Sequence, residues 1–316
     1  MKLTLFALFL LSVIAFASCR KASDEPGIKE YDQQQIQNYI SANGLTGMKR
    51  DTAGGDTTGI YYQILTPGTG ARVDYPDTIS YVYTYHSFDG KYSVTDTVLN
   101  HVFGYLGHVG PNGLMLAIRN DLKYKGGKIR ILIPSHLAYG VDGFGNGSNT
   151  VTNNRLAGNQ CLDYVINLVN NQITYDDMVL NNYKTANNLN GYTKIPPVDP
   201  VTGQINKAAG MWYKIITPGN GNSINDNSSV TCNYKLLLMN NTYADTSAAT
   251  NTATFSDLKS LTQGVHEGLK LVKGGNGSAI SMLVPSRLGY GTAGASGIPA
   301  NSCLRFEFYN ITVTNY

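Results

Sequence analysis

The sequence predicts an α+β protein in which two tandem copies of one module each wrap an antiparallel sheet around a short helix, with an extra helix ahead of each copy. Three observations carry that prediction. Gly59-Ile-Tyr-Tyr-Gln-Ile-Leu-Thr-Pro-Gly-Thr-Gly70 returns as Gly210-Met-Trp-Tyr-Lys-Ile-Ile-Thr-Pro-Gly-Asn-Gly221, an offset of 151 residues. The same offset pairs Ile133-Pro-Ser-His-Leu-Ala-Tyr-Gly140 with Val284-Pro-Ser-Arg-Leu-Gly-Tyr-Gly291, so order and spacing are shared. The composition, with 22 Tyr, 34 Gly and only 14% charged residues, suits strands joined by tight turns.

The chain opens with Met1-Lys2, an apolar run from Leu3 to Phe16 and Ala17-Ser18-Cys19, the pattern of a secretory signal. That run is shorter than the roughly 20 apolar residues a membrane-spanning helix needs, and no other segment approaches it. Residues 1–18 are therefore expected to be a signal peptide and 19–58 a tether and helix. Ala-Phe-Ala-Ser-Cys at 15–19 resembles a bacterial lipobox, which implies lipidation at Cys19; Arg20, Lys21 and the polar Ser23-Asp24-Glu25-Pro26 follow as a tether.

A helix is expected next, with Asp32 as its N-cap, Ile36, Tyr39 and Ile40 on one face and Gly44 as its stop; Asp176, Leu180 and Tyr183 repeat the pattern. Each module should then run from an opening strand (Tyr61 to Thr66; Trp212 to Thr217) to a hairpin strand (Thr78 to His86; Ser229 to Met239). A short helix (Leu114 to Lys123; Val265 to Val272) and a strand into Pro134 or Pro285 follow, and the closing strand spans Cys161 to Val169 or Cys303 to Val313. The modules thus occupy 59–171 and 210–316, with a helix and linker at 172–209. Leu156-Ala-Gly-Asn-Gln-Cys-Leu162 matches Ile298-Pro-Ala-Asn-Ser-Cys-Leu304 at an offset of 142, so the loop Gly140 to Asn154 is longer than its counterpart.

Other chemistries find little support. A net charge of +3 without a basic cluster argues against nucleic acid. His86, His101, His108, His136 and His266 share no metal-ligand spacing. Ser135 and Ser286 have no His and Asp shared by both copies, because His136 becomes Arg287, so a serine hydrolase is not indicated. Cys161 and Cys303 take matching places in separate modules, too far apart to bridge.

In order and spacing the repeated stretches resemble the FKBP family of peptidyl-prolyl cis-trans isomerases. Ile133 to Gly140, Gly264 to Leu269 and Ile298 to Phe306 carry most of the resemblance. It implies two FKBP-like domains that isomerise X-Pro bonds in unfolded or extended polypeptides without a cofactor. By motif position, the second copy's site would comprise the strand tyrosine Tyr234, the aspartate Asp245, the loop tyrosine Tyr290, Ile298 as a backbone donor and the aromatic wall Phe306. In the first copy the same roles fall to Tyr83, Asp96, Tyr139, Leu156 and Tyr164. The sequence departs from the family at the tryptophan floor, which is Val265 in the second copy and Gly110 or Leu116 in the first. It departs again at the phenylalanine before the aspartate, which is Ala244 or Thr95. The implied protein is a membrane-anchored lipoprotein of the bacterial cell envelope assisting the folding of exported proteins; the alternative is a binding or chaperone scaffold that has lost its catalytic pocket.

Overall fold

The computed structural model describes residues 27–316 except 54, 56, 96, 97, 100, 248–250 and 276, so the signal sequence and Cys19 lie outside the described residues. The first unit opens with α1 (Ile28–Ala42) and continues through β1 (Lys49–Arg50), β2 (Tyr61–Thr66), β3 (Thr78–Ser87), β4 (Ser93–Val94) and β5 (His101–Tyr105). Helix α2 (Asn112–Ala117), prolonged by a wide helical turn at Ile118–Leu122, precedes β6 (Lys128–Ile133) and β7 (Leu162–Leu168). The second unit repeats this as α3 (Gln172–Ala186), β8 (Thr193–Lys194), β9 (Trp212–Thr217), β10 (Ser228–Leu238), β11 (Tyr243–Thr246), β12 (Ala253–Phe255), α4 (Gln263–Leu269), β13 (Ala279–Val284) and β14 (Leu304–Asn315).

The two seven-stranded sheets have one topology. Their orders are β1-β2-β6-β7-β3-β4 and β8-β9-β13-β14-β10-β11, with β5 and β12 pairing to β3 and β10. Strands alternate because one face of each sheet must exclude water. On β10 and β14 the inward set is Val230, Cys232, Tyr234 and Leu236 with Leu304, Phe306 and Phe308, and α4 covers it with Val265 and Leu269. The corresponding face of the first unit holds Ile79, Tyr81, Tyr85, Ile129, Ile131, Tyr164 and Ile166 under Leu114, Ala117 and Ile118.

The extra helices cover the opposite faces. Ile36 of α1 packs with Leu132 and Cys161, and Leu180 and Tyr183 of α3 pack with Leu283 and Cys303. Both thiols are free and buried. Asp32 does not cap α1. The helix begins at Ile28, and Asp32 lies within it, 1% exposed, where its carboxylate accepts from Ser135 Oγ (2.7 Å), His136 N (3.2 Å) and His136 Nδ1 (2.7 Å). An aspartate before an apolar stripe reads as a cap in one dimension, whereas here the donors come from a turn about a hundred residues away.

Glycine at the start of each short helix is required by close approach. A Cβ on Gly113 would lie 2.4 Å from Ile133 Cγ2, and one on Gly264 2.5 Å from Val284 Cγ1. This shared contact makes Leu114 the counterpart of Val265 and replaces the expected Gly110 or Leu116.

One acid on the first unit is held against its preference. Asp121 Oδ2 is buried with no hydrogen-bond partner, and burial first, then the charge of Asp51, pushes the carboxyl up to about 7 against a weaker opposing pull from Lys123. A folded-state value above the unfolded one means this group's stability is intact in acid and is lost as pH rises from about 4 through about 7. Asp121→Asn is therefore expected to match the wild type at pH 4 and to exceed it at pH 8 by about 1–2 kcal/mol, after discounting for partial exposure. Urea unfolding at the two pH values measures this, and equal stability at pH 8 would contradict it.

Candidate functional site

On the second sheet, β10 and β11 are antiparallel with Leu236 opposite Asp245, which brings Asp245 beside Tyr234. Tyr234 donates its hydroxyl to Asp245 Oδ2 at 2.6 Å, and Thr246 N donates to Asp245 Oδ1 at 2.8 Å, so both carboxylate oxygens are held. Burial, then the hydrogen bond to Asp245, pushes the Tyr234 hydroxyl up to about 12. Tyr290 is pushed upward too, by burial and then by Asp245. Both phenols therefore remain proton donors at neutral pH.

The apolar part is built from β12, β14 and α4. Phe255 packs 6.0 Å from Tyr234 and edge-on to Phe308 at 6.4 Å, and Phe306 lies parallel to Phe308 at 6.1 Å. Val265, Ile298 and Phe306 are buried in the same cluster, with Tyr234, Ala244, Phe255 and Tyr290 partly buried against it. Of the five residues expected in the second copy, Ile298 and Phe306 are thus buried in this cluster, Tyr234 and Tyr290 pack against it, and Asp245 is exposed and joins it through Tyr234. Phe255 was not anticipated. Its only sequence signal is an inward place on a three-residue strand, too short for alternation to register.

Tyr290 sits in a turn closed on itself: Gly289 N and Gly291 N donate to Ser286 O at 3.1 and 2.9 Å. The following hairpin closes through Ala295 N to Ile298 O (2.8 Å) and Ile298 N to Ala295 O (2.9 Å). The backbone donor expected at Ile298 is accordingly already in use, and Ile298 contributes its side chain. Leu156 is alike: its N–H donates to Phe144 O at 2.9 Å and its side chain is 1% exposed.

The first unit gathers Tyr83, Tyr139 and Tyr164, and adds Tyr85 and Tyr92. Tyr85 stacks on Tyr164 at 4.5 Å with rings 11° apart, Tyr83 lies 6.2 Å from Tyr164, and Tyr92 lies 5.9 Å from Tyr85. Burial pushes the hydroxyls of Tyr83, Tyr85, Tyr139 and Tyr164 upward. Asp96 lies outside the described residues. The long loop places Phe144 against Tyr139 at 4.8 Å and reaches across to the β3–β4 turn, where Asn153 N donates to Lys91 O and Ser93 N to Asn153 Oδ1. It straps the aromatic cluster from one side to the other.

Residues 221–309 match the family described as FKBP-type peptidyl-prolyl cis-trans isomerase. The chain is 34% identical over 108 residues to the FKBP-type peptidyl-prolyl cis-trans isomerase FkpA of Buchnera aphidicola, covering 34% of this chain and 44% of that protein. It is 36% identical over 107 residues to the peptidyl-prolyl cis-trans isomerase Mip of Coxiella burnetii, covering 34% and 46%. The chain thus spans less than half the length of either relative. Among solved structures, FkpA from Escherichia coli aligns at 26% identity over 45% of this chain and 61% of that one, with a TM-score of 0.36.

Proposed function

We propose, from the premise that residues 221–309 are an FKBP-type domain, that the second unit accelerates cis-trans isomerisation of X-Pro bonds in extended or unfolded polypeptides. The barrier to that rotation, about 18–20 kcal/mol, comes from amide resonance, so no nucleophile or cofactor is needed. A site that removes water from the prolyl amide and favours its twisted, less dipolar form by about 4 kcal/mol accelerates rotation roughly a thousandfold.

Phe255, Phe306, Val265 and Ile298 would hold the proline ring. Tyr290 would donate to a substrate carbonyl, while Asp245 fixes the rim through Tyr234. One observation carries this reading: a hydrogen-bonded Tyr234–Asp245 pair and the Tyr290 phenol border the same aromatic cluster. Val265 and Ala244 are smaller than the family's aromatics at those positions, which would favour clients with a bulky residue near the proline. The domain layout fits two FKBP-like units, 59–171 and 210–316, each with its own preceding helix.

The first unit supports the second reading. Its Tyr85–Tyr164 stack lies beside Tyr83 and Phe144 packs on Tyr139, an aromatic surface suited to binding without turnover. Lipidation at Cys19 would hold both units at an envelope membrane, near emerging exported chains.

NMR exchange spectroscopy on a Pro tetrapeptide with the full chain tests the proposal. Tyr290→Phe is expected to lower kcat/KM about tenfold, about 1.4 kcal/mol of lost transition-state stabilisation, and Tyr139→Phe to change it less than twofold. No acceleration by the wild-type chain would refute the enzymatic reading.

A further inference from the structure

The turn that carries Tyr290 is braced from outside its own unit. Asp176, on α3 and 1% exposed, accepts at Oδ2 from Ser286 N (2.8 Å) and Ser286 Oγ (2.7 Å). Its Oδ1 accepts from Gln172 Nε2 at 2.8 Å, and Gln172 Oε1 accepts from Ser80 Oγ at 2.9 Å. Ser80 belongs to β3 of the first unit. Its oxygen accepts in turn from Asn301 Nδ2 at 3.1 Å, while Asn301 N donates to Gly291 O at 2.8 Å. With Gly291 N donating to Ser286 O, the contacts close into a ring: Ser80, Gln172, Asp176, Ser286, Gly291, Asn301 and back to Ser80. Every donor and acceptor along it is of the correct sense, and Tyr290 lies inside the arc from Ser286 to Gly291.

The first unit supplies the internal comparison. There Asp32 holds Ser135, and Gly140 N donates to Ser135 O at 2.9 Å around Tyr139, so the brace is conserved in kind. The place of Gln172 is taken by Ile28, 41% exposed, and the free side of the carboxylate is filled by His136 Nδ1. The matching Arg287 turns away instead, donating to Ala209 O. The first copy therefore braces its turn with its own residues, whereas the second uses a hydroxyl from its neighbour. The neighbour is held in place for this. Val169 N donates to Ser80 O at 2.8 Å and α3 starts three residues later, while Val98 packs into the second unit's core and His101 lies 5.7 Å from Tyr175.

We infer that Ser80 of the first unit is a positioning residue for the second unit's site, acting through Gln172, Asp176 and Asn301 on the turn that presents Tyr290. This rests on the isomerase reading for its consequence in rate, and on geometry alone for its consequence in order. A phenol held by a closed ring loses less freedom when it meets a substrate carbonyl, so opening the ring lowers turnover without removing any group that touches substrate.

The test uses the full chain carrying Ser80→Val and, separately, Ser80→Thr, two side chains of nearly one shape that differ in the hydroxyl, with Gln172→Ala as a second break in the ring. Amide hydrogen exchange over 286–291 is expected to rise at least tenfold in Ser80→Val and Gln172→Ala, with β13 and β14 unchanged and Ser80→Thr close to wild type. In a Tyr139→Phe background, kcat/KM on a Pro tetrapeptide is expected to fall three- to tenfold with the first two and to recover with Ser80→Thr. Unchanged exchange at 286–291, or a rise spread evenly over the second sheet, overturns the inference. So does a local rise with no change of rate in an active chain. A local rise in a chain that is inactive even as wild type upholds the brace and refutes the isomerase reading instead.

Discussion

Replacing Phe306 with alanine is expected to cost the second unit about 3–5 kcal/mol of stability and to lower isomerase kcat/KM at least a hundredfold. Phe306 is 5% exposed, faces Leu236 on β10 and Met282 on β13, and lies parallel to Phe308, so its truncation opens a cavity at the centre of the sheet's inner face. The loss of rate has a separate cause, since the same ring is the proposed wall for the proline. Phe306→Leu separates the two. It restores most of the volume and is expected to stay within about 1.5 kcal/mol of wild type in urea unfolding. Its rate, measured well below the melting transition, should remain depressed at least tenfold because a branched aliphatic cannot present a flat face. A Phe306→Leu chain with full activity would mean that Phe306 serves the core alone.

Asp163→Ala is expected to destabilise the first unit by about 3 kcal/mol, among the largest effects of any polar substitution in the chain. Asp163 is 1% exposed and accepts from Arg130 Nη2 at 2.5 Å, Arg130 Nε at 3.0 Å and the Tyr39 hydroxyl at 3.0 Å, with His86 Nε2 3.6 Å away. Removing it leaves a guanidinium without its counter-charge and takes from α1 one of its polar ties to the sheet, beside those of Gln33 and Gln37 to Tyr61. The Arg130 side chain is a quarter exposed, and water there moderates the loss towards the lower end of the range for broken buried pairs. The double replacement Asp163→Leu with Arg130→Met is expected to recover most of it, because removing both charges leaves none unpaired. A loss below 1 kcal/mol for Asp163→Ala in urea unfolding would show that solvent already screens the pair.

The second unit's Tyr183 and Arg305 occupy the matching places, with Arg305 Nη1 3.5 Å from the Tyr183 hydroxyl. The helix tyrosine is thus kept while the sign of its charged partner is reversed. A contact of this kind evades sequence reading, since neither residue type nor spacing marks it.

What could be read in the chain was whatever repeats locally. The opening strands at 61–66 and 212–217 appear as expected because each is a short run rich in aromatic and β-branched residues ended by Pro-Gly. The short helices begin earlier than the expected Leu114 and Val265, at Asn112 and Gln263, and take in Gly113 and Gly264, where contact with Ile133 and Val284 leaves no room for a side chain. The polar network around Asp32 and Asp176 was invisible for a related reason. A carboxylate's partners are chosen by the fold, and here they lie 103 and 110 residues away. Motif position brought the named aromatics to one face but could not tell that the N–H groups of Leu156 and Ile298 would be consumed by their own hairpins.

The strand order carries a kinetic consequence. In each unit the strand last in sequence is central in space: β7 lies between β6 and β3, and β14 between β13 and β10. Tyr164 and Phe306 ride on those two strands. No earlier segment of a unit can form its sheet's inner face, because the hairpin strand and the post-helix strand meet only through the one that comes last. Each unit must therefore search for distant partners before much of its apolar surface is shielded, which favours slow, all-or-none folding over gradual growth. A protein proposed to hasten the maturation of other chains is itself a demanding folder, its aromatic face complete only when the final strand slots into the middle.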